Sequence, residues 1–396
     1  MSVPGPEVRL ATPGFFLQPD YHEVLAWLRE HSPVHTTDDG LVALSRYQEV
    51  RDVSRDPTRF VSGRGVLIND PLRVSDGGQL SAFSILHLDP PLHAAYRSVI
   101  NRRFTPRAVA PLEERVRSVV RRAFDEVPAD GPFDLVERLA APIPIAVISD
   151  LLGVDGSDRE QLRRWSDATI EGPDLDPTER DARLGGLLGF LMDHVHRSAG
   201  ESDGLGGLLA TTPVGDRLLD ESEIMGFFLT LLVAGNETTR TLLSGGVEAL
   251  ARHPDQQEAL AGDPSLLPGA VEELLRWVTP IQAFGRTAVM DVELAGTPVA
   301  AGTFVVMLYA SANRDGAAFG PSAGRLDVTR RPDVPHLAFG FGEHVCLGSS
   351  LARLEGRVFF EELLARHPRF RLAGDPEYTP STLVNGARVL PVDLGG

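Results

Sequence analysis

Apolar positions along this chain recur mostly at helical spacing, and strand-like alternation is confined to a few short stretches. Residues 21–31, opening Tyr-His-Glu-Val-Leu-Ala-Trp-Leu, predict an amphipathic helix. Val34–His35 and Leu41–Leu44 flank Asp38-Asp39-Gly40 and predict a hairpin, with a short helix at 46–55. Further helices are expected at 107–127, 143–152, 158–170 and 180–198, the last two separated by the Gly- and Pro-containing break 171–177. The longest predicted helix starts near Asp220, where Asp220 and Glu223 suit a capping box, and runs to Arg252. It is apolar on most sides, as a buried central helix would be, and about 48 Å long. Pro268 opens the next helix and Pro280 closes it. Residues 286–308 alternate around Gly296 and Gly302 and predict short strands, and 383–394 predict a last pair. Ala-Arg-His-Pro occurs at 251–254 and 365–368, each time ending a helical pattern, so both are stop signals. The expected fold is mainly α with a small β-rich lobe. No linker, charge block or low-complexity run divides it, which predicts a single domain over 1–396, with 1–14 poorly ordered.

Composition narrows the chemistry. The apolar fraction of 42% suffices for a large core, and the net charge of −17 argues against a general nucleic-acid binder. All 38 basic residues are arginine, which removes Schiff-base lysines and the phosphate-loop lysine. The longest nearly unbroken apolar run, Ile224 to Gly235, is 12 residues, and a membrane span needs about 20. Met1 to Leu10 has no apolar core, so no signal peptide is expected, and the expected location is cytoplasmic.

One stretch concentrates unusual residues: Phe339-Gly-Phe-Gly-Glu-His-Val-Cys-Leu-Gly348. It holds Cys346, the chain's one cysteine, which excludes an internal disulfide and a multi-cysteine zinc site. Gly340 and Gly342 permit a tight turn before the sulfur, and Gly348 permits close approach of a flat ligand. Leu347, Leu351, Leu354 and Val358 fall at helical spacing, which puts Cys346 at a helix N-terminus, a setting that favours a thiolate. Taken alone, a buried inert cysteine remains the alternative.

The pattern F-G-x-G-x-H-x-C-x-G resembles the haem-binding signature of the cytochrome P450 family. The resemblance implies one haem b, with Cys346 as axial thiolate ligand of the iron, Phe339 shielding the sulfur, His344 meeting a propionate, and Gly340, Gly348 and Ala352 beside the ring. Such a thiolate favours O–O cleavage. Ala234-Gly-Asn-Glu-Thr-Thr239, in the middle of the long helix, is similar to the family's oxygen-activation motif. It implies space for oxygen at Gly235, Ala234 beside the haem, and a proton-delivering pair, Glu237 and Thr238. Local back-bonding to carbonyls is the alternative for these polar residues. Asp89-Pro-Pro91 with His93 and Arg97, and Arg286 in Phe-Gly-Arg-Thr, resemble the propionate contacts. Glu273-Leu-Leu-Arg276 alone is an ordinary helix pair; between the other motifs it resembles the family's buried Glu–Arg lock, with Arg325 as expected third member although Leu326 stands where the family usually has Phe.

The implied activity is monooxygenation with O₂ as co-substrate, hydroxylating or epoxidising a hydrophobic molecule such as a steroid, terpene, fatty acid or polyketide-like compound. The residue types leave two alternatives: a peroxygenase driven by H₂O₂, and a haem-based sensor or ligand-binding protein. The pocket is expected along the loop 61–86 and at Leu231, Ala234, Ile281, Phe284, Leu383 and Val384, mostly apolar residues. No dinucleotide Gly motif follows a strand, so electrons are expected from a ferredoxin reduced by an NAD(P)H-dependent ferredoxin reductase. Eight arginines (97, 102, 103, 107, 115, 117, 121, 122) against Glu113 and Glu114 suggest its docking face, joined by Arg353 and Arg357.

Overall fold

The computed structural model describes residues 5–73, 84–128, 130–154, 158–159, 161–165, 177–198 and 205–395. The expected loop 61–86, helix 158–170 and break 171–177 therefore lie partly outside the described residues.

Helices of eight residues or more among these are α1 (Tyr21–His31), α2 (Tyr47–Ser54), α3 (Leu92–Asn101), α4 (Glu113–Asp125), α5 (Pro142–Leu152), α6 (Pro177–Ser198), α7 (Glu221–Arg252), α8 (Pro254–Gly262), α9 (Leu267–Val278) and α10 (Ser349–Arg366). The β lobe is a five-stranded sheet ordered β1 (Val34–Thr36), β2 (Val42–Leu44), β8 (Phe304–Leu308), β5 (Ala283–Ala288), β3 (Phe60–Val61), with only β2 and β8 parallel. A three-stranded sheet joins β4 (Phe133–Asp134), β12 (Pro391–Asp393) and β9 (Arg371–Leu372). Two hairpin-like pairs remain: β6 (Val292–Leu294) with β7 (Thr297–Val299), and β10 (Glu377–Tyr378) with β11 (Ala387–Val389). The strands expected as a last pair at 383–394 thus belong to different sheets, because each finds its partner elsewhere in the chain.

α7 begins with the expected box: Asp220 accepts from the Glu223 N–H at 2.9 Å, and Glu223 accepts from the Asp220 N–H at 2.8 Å. The helix then changes company along its length. Ile224, Phe227, Phe228 and Leu232 pack in a cluster with α3, α5 and α6, whereas Leu242, Leu243, Val247 and Leu250 pack with α4, α9 and α10. The Ala234–Thr239 motif lies at the changeover. A Cβ on Gly235 would meet Ile148 of α5 at 3.1 Å, so this glycine serves close helix packing.

The N-terminal segment is not loose over its described part. Val8 and Leu10 are fully buried, and Asp38 and Asp39 of the β1–β2 turn accept from the Val8 and Ala11 N–H groups, each at 2.7 Å. The two turn acids supply partners that a Pro- and Gly-rich segment cannot supply for itself.

Glu273 and Arg276 form the expected buried pair, with Arg276 Nε and Nη2 donating to Glu273 at 2.6 and 2.7 Å. The third member is Arg330, not Arg325. Arg330 Nε reaches both Glu273 oxygens at 3.1–3.2 Å, while Arg325 is exposed and contributes only its carbonyl, to Arg276 and Arg330. Arg276 also donates to the Asn313 and Ala323 carbonyls at 2.6 and 2.8 Å. The triad therefore ties the irregular stretch 313–330 to α9. Removing one member strands a buried charge, so Arg330→Met should cost about 3–5 kcal/mol. Arg325→Ala should stay within about 0.5 kcal/mol. Denaturant midpoints of the two variants check this, and equal midpoints would return the role to Arg325.

Candidate active site

The Phe339–Gly348 loop is shaped from several directions. The Cys346 N–H donates to the Phe339 carbonyl at 2.8 Å and closes it. Gly340 and Gly342 have φ of 67° and 73°, and a Cβ on Gly342 would sit 2.2 Å from the Ser54 carbonyl at the end of α2. No other residue fits there. Arg97 of α3 donates to the Glu343 and Val345 carbonyls at 3.1 and 2.5 Å. Helix α10 begins at Ser349, three residues after the sulfur. Cys346 presents surface yet lies deep in the molecule, and the low-dielectric surroundings push its thiol up. The Gly348 N–H and the charges of Arg97 and Arg353 act in the other direction. A metal cation at the sulfur would deprotonate it outright.

In the middle of α7, Ala234 is exposed although Leu232, Asn236 and Glu237 around it are buried. Thr238, half-buried one turn on, donates to the Ala234 carbonyl at 2.7 Å, which leaves its oxygen lone pairs available as acceptors. Glu237 points inward, within 3.2 Å of Asn236 Nδ2 and 3.3 Å of Arg240 Nη1.

At the edge of this region the structure gathers His93, Arg97, Arg286 and His344. The His93 and His344 rings are 4.0 Å apart, and His344 Nε2 lies 3.2 Å from Ser62 Oγ. Burial, Arg97 and Arg286 lower His93 to about 4; burial, Arg286, His93 and Arg97 lower His344 to about 2. Arg286 is buried and donates to its neighbour's Gly285 carbonyl at 2.8 Å, with no ion pair among the described residues. Asp89 is the one carboxylate acting on Arg286, and it already accepts from the Ser62 and Gly63 N–H groups at 2.7 and 3.0 Å. A buried guanidinium without a bound carboxylate, beside two neutral imidazoles, calls for an anion. The carboxylates of a haem meet that need, the Cys346 sulfur offers a soft ligand, and Ala234, Gly348 and the half-buried Phe339, Gly340 and Ala352 offer small or apolar surfaces. The residues present fit the group.

Of the expected pocket residues, Ile281 and Val384 pair as an isolated bridge, and the Gln282 N–H donates to the Leu383 carbonyl at 2.8 Å, so these three are brought together. Leu231 is half-buried on α7, and Phe284 meets Tyr309 edge-on at 6.3 Å. Residues 74–83 of the expected pocket loop lie outside the described residues.

Sequence reasoning did not find Ser62, or the trio that braces Phe339. The Arg353 guanidinium sits 4.5 Å over the Phe339 ring and is held by Glu272 at 2.7 and 2.9 Å. His336 lies 3.3 Å from the same carboxylate, and both neighbours depress Glu272 to about 2 against its burial. The acidic doublet Glu272-Glu273 was the available signal: one member faces the lock, the other faces α10.

Comparison with known proteins decides what this arrangement is. A family model described as cytochrome P450 matches residues 264–389. A steroid C26-monooxygenase of Mycobacterium tuberculosis strain H37Rv is 35% identical, over 98% of this chain and 97% of the relative. A vitamin D(3) 25-hydroxylase of Pseudonocardia autotrophica is 39% identical, over 94% of each. A Mycobacterium marinum cytochrome P450 in complex with pseudoionone superposes with a TM-score of 0.90, at 33% identity over 99% of each chain.

The chain belongs to the cytochrome P450 family. It is a haem-thiolate monooxygenase that uses haem b and O₂ and acts on a hydrophobic small molecule. Among the described residues no helix is long and apolar enough to cross a membrane. Since Cys346 is the chain's one thiol, the reduced, CO-bound protein should show the strongly red-shifted Soret band of thiolate-ligated haem. Cys346→His should abolish that band and the activity; an unaltered spectrum would remove Cys346 from the site.

Proposed function

We propose that Cys346 ligates the haem iron, that His93, Arg97, Arg286 and His344 hold the propionates, and that Glu237 and Thr238 serve proton delivery at the face opposite the sulfur. The observation that carries this reading is the Cys346 loop clamped by Arg97, with His344 of that loop set against His93 beside the buried Arg286; the exposed Ala234 turn of α7 supports it. When bound, the haem supplies oxygen activation; the protein supplies the thiolate, the orientation and the protons. The Thr238 oxygen, its hydrogen committed to the Ala234 carbonyl, can accept from a water and fix it beside Ala234. Glu237, the residue before Thr238, links that point to the buried Arg240. This pair favours O₂ with an electron chain over direct use of H₂O₂. Thr238→Ala should leave haem in place while product formed per NAD(P)H falls and peroxide appears. General acid–base steps are typically worth ~10²–10⁴-fold in rate. Full coupling in both Thr238→Ala and Glu237→Gln would reduce these residues to packing elements.

The substrate we propose is a lipophilic molecule of steroid, terpene or polyketide type. An erythromycin C-12 hydroxylase of Saccharopolyspora erythraea at 37% identity and a linalool 8-monooxygenase of Pseudomonas putida at 33% support that range, as does the apolar wall of Leu231, Ile281 and Leu383. A screen for substrate-induced spin-state shifts tests it.

We further propose a cytoplasmic enzyme reduced by an acidic ferredoxin, itself reduced by an NAD(P)H-dependent reductase. The docking face is narrower than the arginine count implied, because acids from other helices pair with much of it. Arg115 pairs with Asp150, Arg117 with Glu113, Glu361 and Glu362, Arg121 with Glu362, Arg357 with Glu113 and Glu361, and Arg353 with Glu272. Arg102, Arg107 and Arg122 are exposed without an ion-pair partner among the described residues. Stopped-flow reduction by a small acidic ferredoxin should slow as salt rises, and charge reversal at Arg102 or Arg107 should slow it at low salt. Salt-insensitive reduction with silent reversals would place docking elsewhere.

A further inference from the structure

Hydroxyls on the helices of this protein tend to be satisfied by the carbonyl one turn back. Thr238 donates to Ala234 at 2.7 Å, Ser244 to Arg240 at 2.8 Å and Thr211 to Gly207 at 2.6 Å. Thr230 of α7 makes no such bond among the described residues. Its Oγ1 instead lies 3.3 Å from Ser84 Oγ, across the gap between α7 and the turn Ile85–His87. Ser84 Oγ also accepts from the Leu86 N–H at 3.3 Å. Two hydroxyls have two hydrogens, and their mutual bond uses one. Whichever donates, one O–H is left over.

The position of that leftover donor matters. Thr230 precedes Ala234 by four residues and Thr238 by eight, so all three lie along one face of α7. Ser84 and Thr230 are both half-buried, and the half-buried Ile85, Leu88 and Leu231 nearby pack on the apolar cluster beneath α7. A spare donor set among apolar side chains offers a directional partner to an oxygen of whatever lies against them. A helix interior offers a threonine the local carbonyl, yet this one faces a loop 146 residues away in sequence.

We propose that the Ser84–Thr230 pair is a polar recognition point that takes a hydroxyl or carbonyl oxygen of the substrate. At 1.5 Å per residue it stands roughly 6 Å from Ala234 and roughly 12 Å from Thr238 along the helix. The substrate is then an elongated apolar molecule with an oxygen function at the end away from the carbon that is oxidised. This rests on the monooxygenase reading above and adds the orientation of the substrate within it.

The test uses the haem-loaded enzyme and probes that anchor themselves. A 1-alkylimidazole binds iron through its nitrogen whatever the natural substrate, and its Soret shift reports occupancy. Two series are compared, plain and ω-hydroxylated, with tails of about four to eight carbons to span the ~6–12 Å reach. At one tail length or more, the ratio of plain to hydroxylated Kd should exceed its value at the other lengths by about tenfold. Thr230→Val and Ser84→Ala should each abolish that advantage while leaving the plain probe's Kd within about twofold, and Thr230→Ser should restore it. Plain-probe binding also shows that each variant is folded. Absence of a hydroxyl advantage at every length, or its survival in both variants, overturns the proposal. Failure of the hydrophobic-pocket reading looks different: the plain series would then not tighten as the tail lengthens.

Discussion

The bond from the Cys346 N–H to the Phe339 carbonyl, at 2.8 Å, closes the loop on which the site depends. Closing it so tightly requires left-handed backbone at Gly340 and Gly342 and presses Gly342 against the Ser54 carbonyl. The carbonyls of Glu343 and Val345, turned outward by that geometry, are taken up by Arg97. These two bonds tie the position of α3 to that of the loop that carries the sulfur. Phe339 cannot swing away, because Arg353 lies over its ring and Glu272 fixes Arg353. A single thiol is thereby held by residues from α2, α3, α9 and α10.

The Glu273–Arg276–Arg330 triad applies the same logic to the stretch leading into the loop. Residues 313–330 follow an irregular course, and their carbonyls at Asn313, Phe319, Ser322, Ala323 and Arg325 all accept from Arg276 or Arg330. Guanidinium forks suit this task, since each offers several donors in a fixed plane. Glu273 supplies the countercharge that makes two buried cations tolerable.

Features set by local chemistry were legible in the sequence. The capping box of α7, the 34–44 hairpin, the helix stops at 252 and 366, and the glycines of the Cys346 loop all read correctly. Motif residues known only by resemblance, such as His93, Arg97, Arg286 and His344, were brought together by the fold. What could not be read were pairings that need the third dimension. The sequence pointed to Arg325 as the third member, and only the turn closed by the Arg330 N–H on the Asp327 carbonyl brings Arg330 to Glu273 instead. The partners of β11 and β12 lie at 377–378, 133–134 and 371–372. The arginine-rich stretch from 97 to 122 looked strongly basic because the acids that pair with it, Asp150, Glu361 and Glu362, lie on other helices.

Charge is distributed in the opposite sense to the chain's average. The protein carries −17 overall, yet His93, Arg97, Arg286 and His344 meet with Asp89 as their nearest carboxylate. Burial first, and then the neighbouring arginine charges, push the two imidazoles below their ordinary range. A carboxylate-bearing ligand relieves two unfavourable terms together: the unpaired Arg286 and the repulsion among the cations. Binding that removes such penalties from the folded state alone stabilises it by mass action. On the proposed reading, in which these residues hold the propionates, haem binding would stabilise the folded chain as well as supply its chemistry.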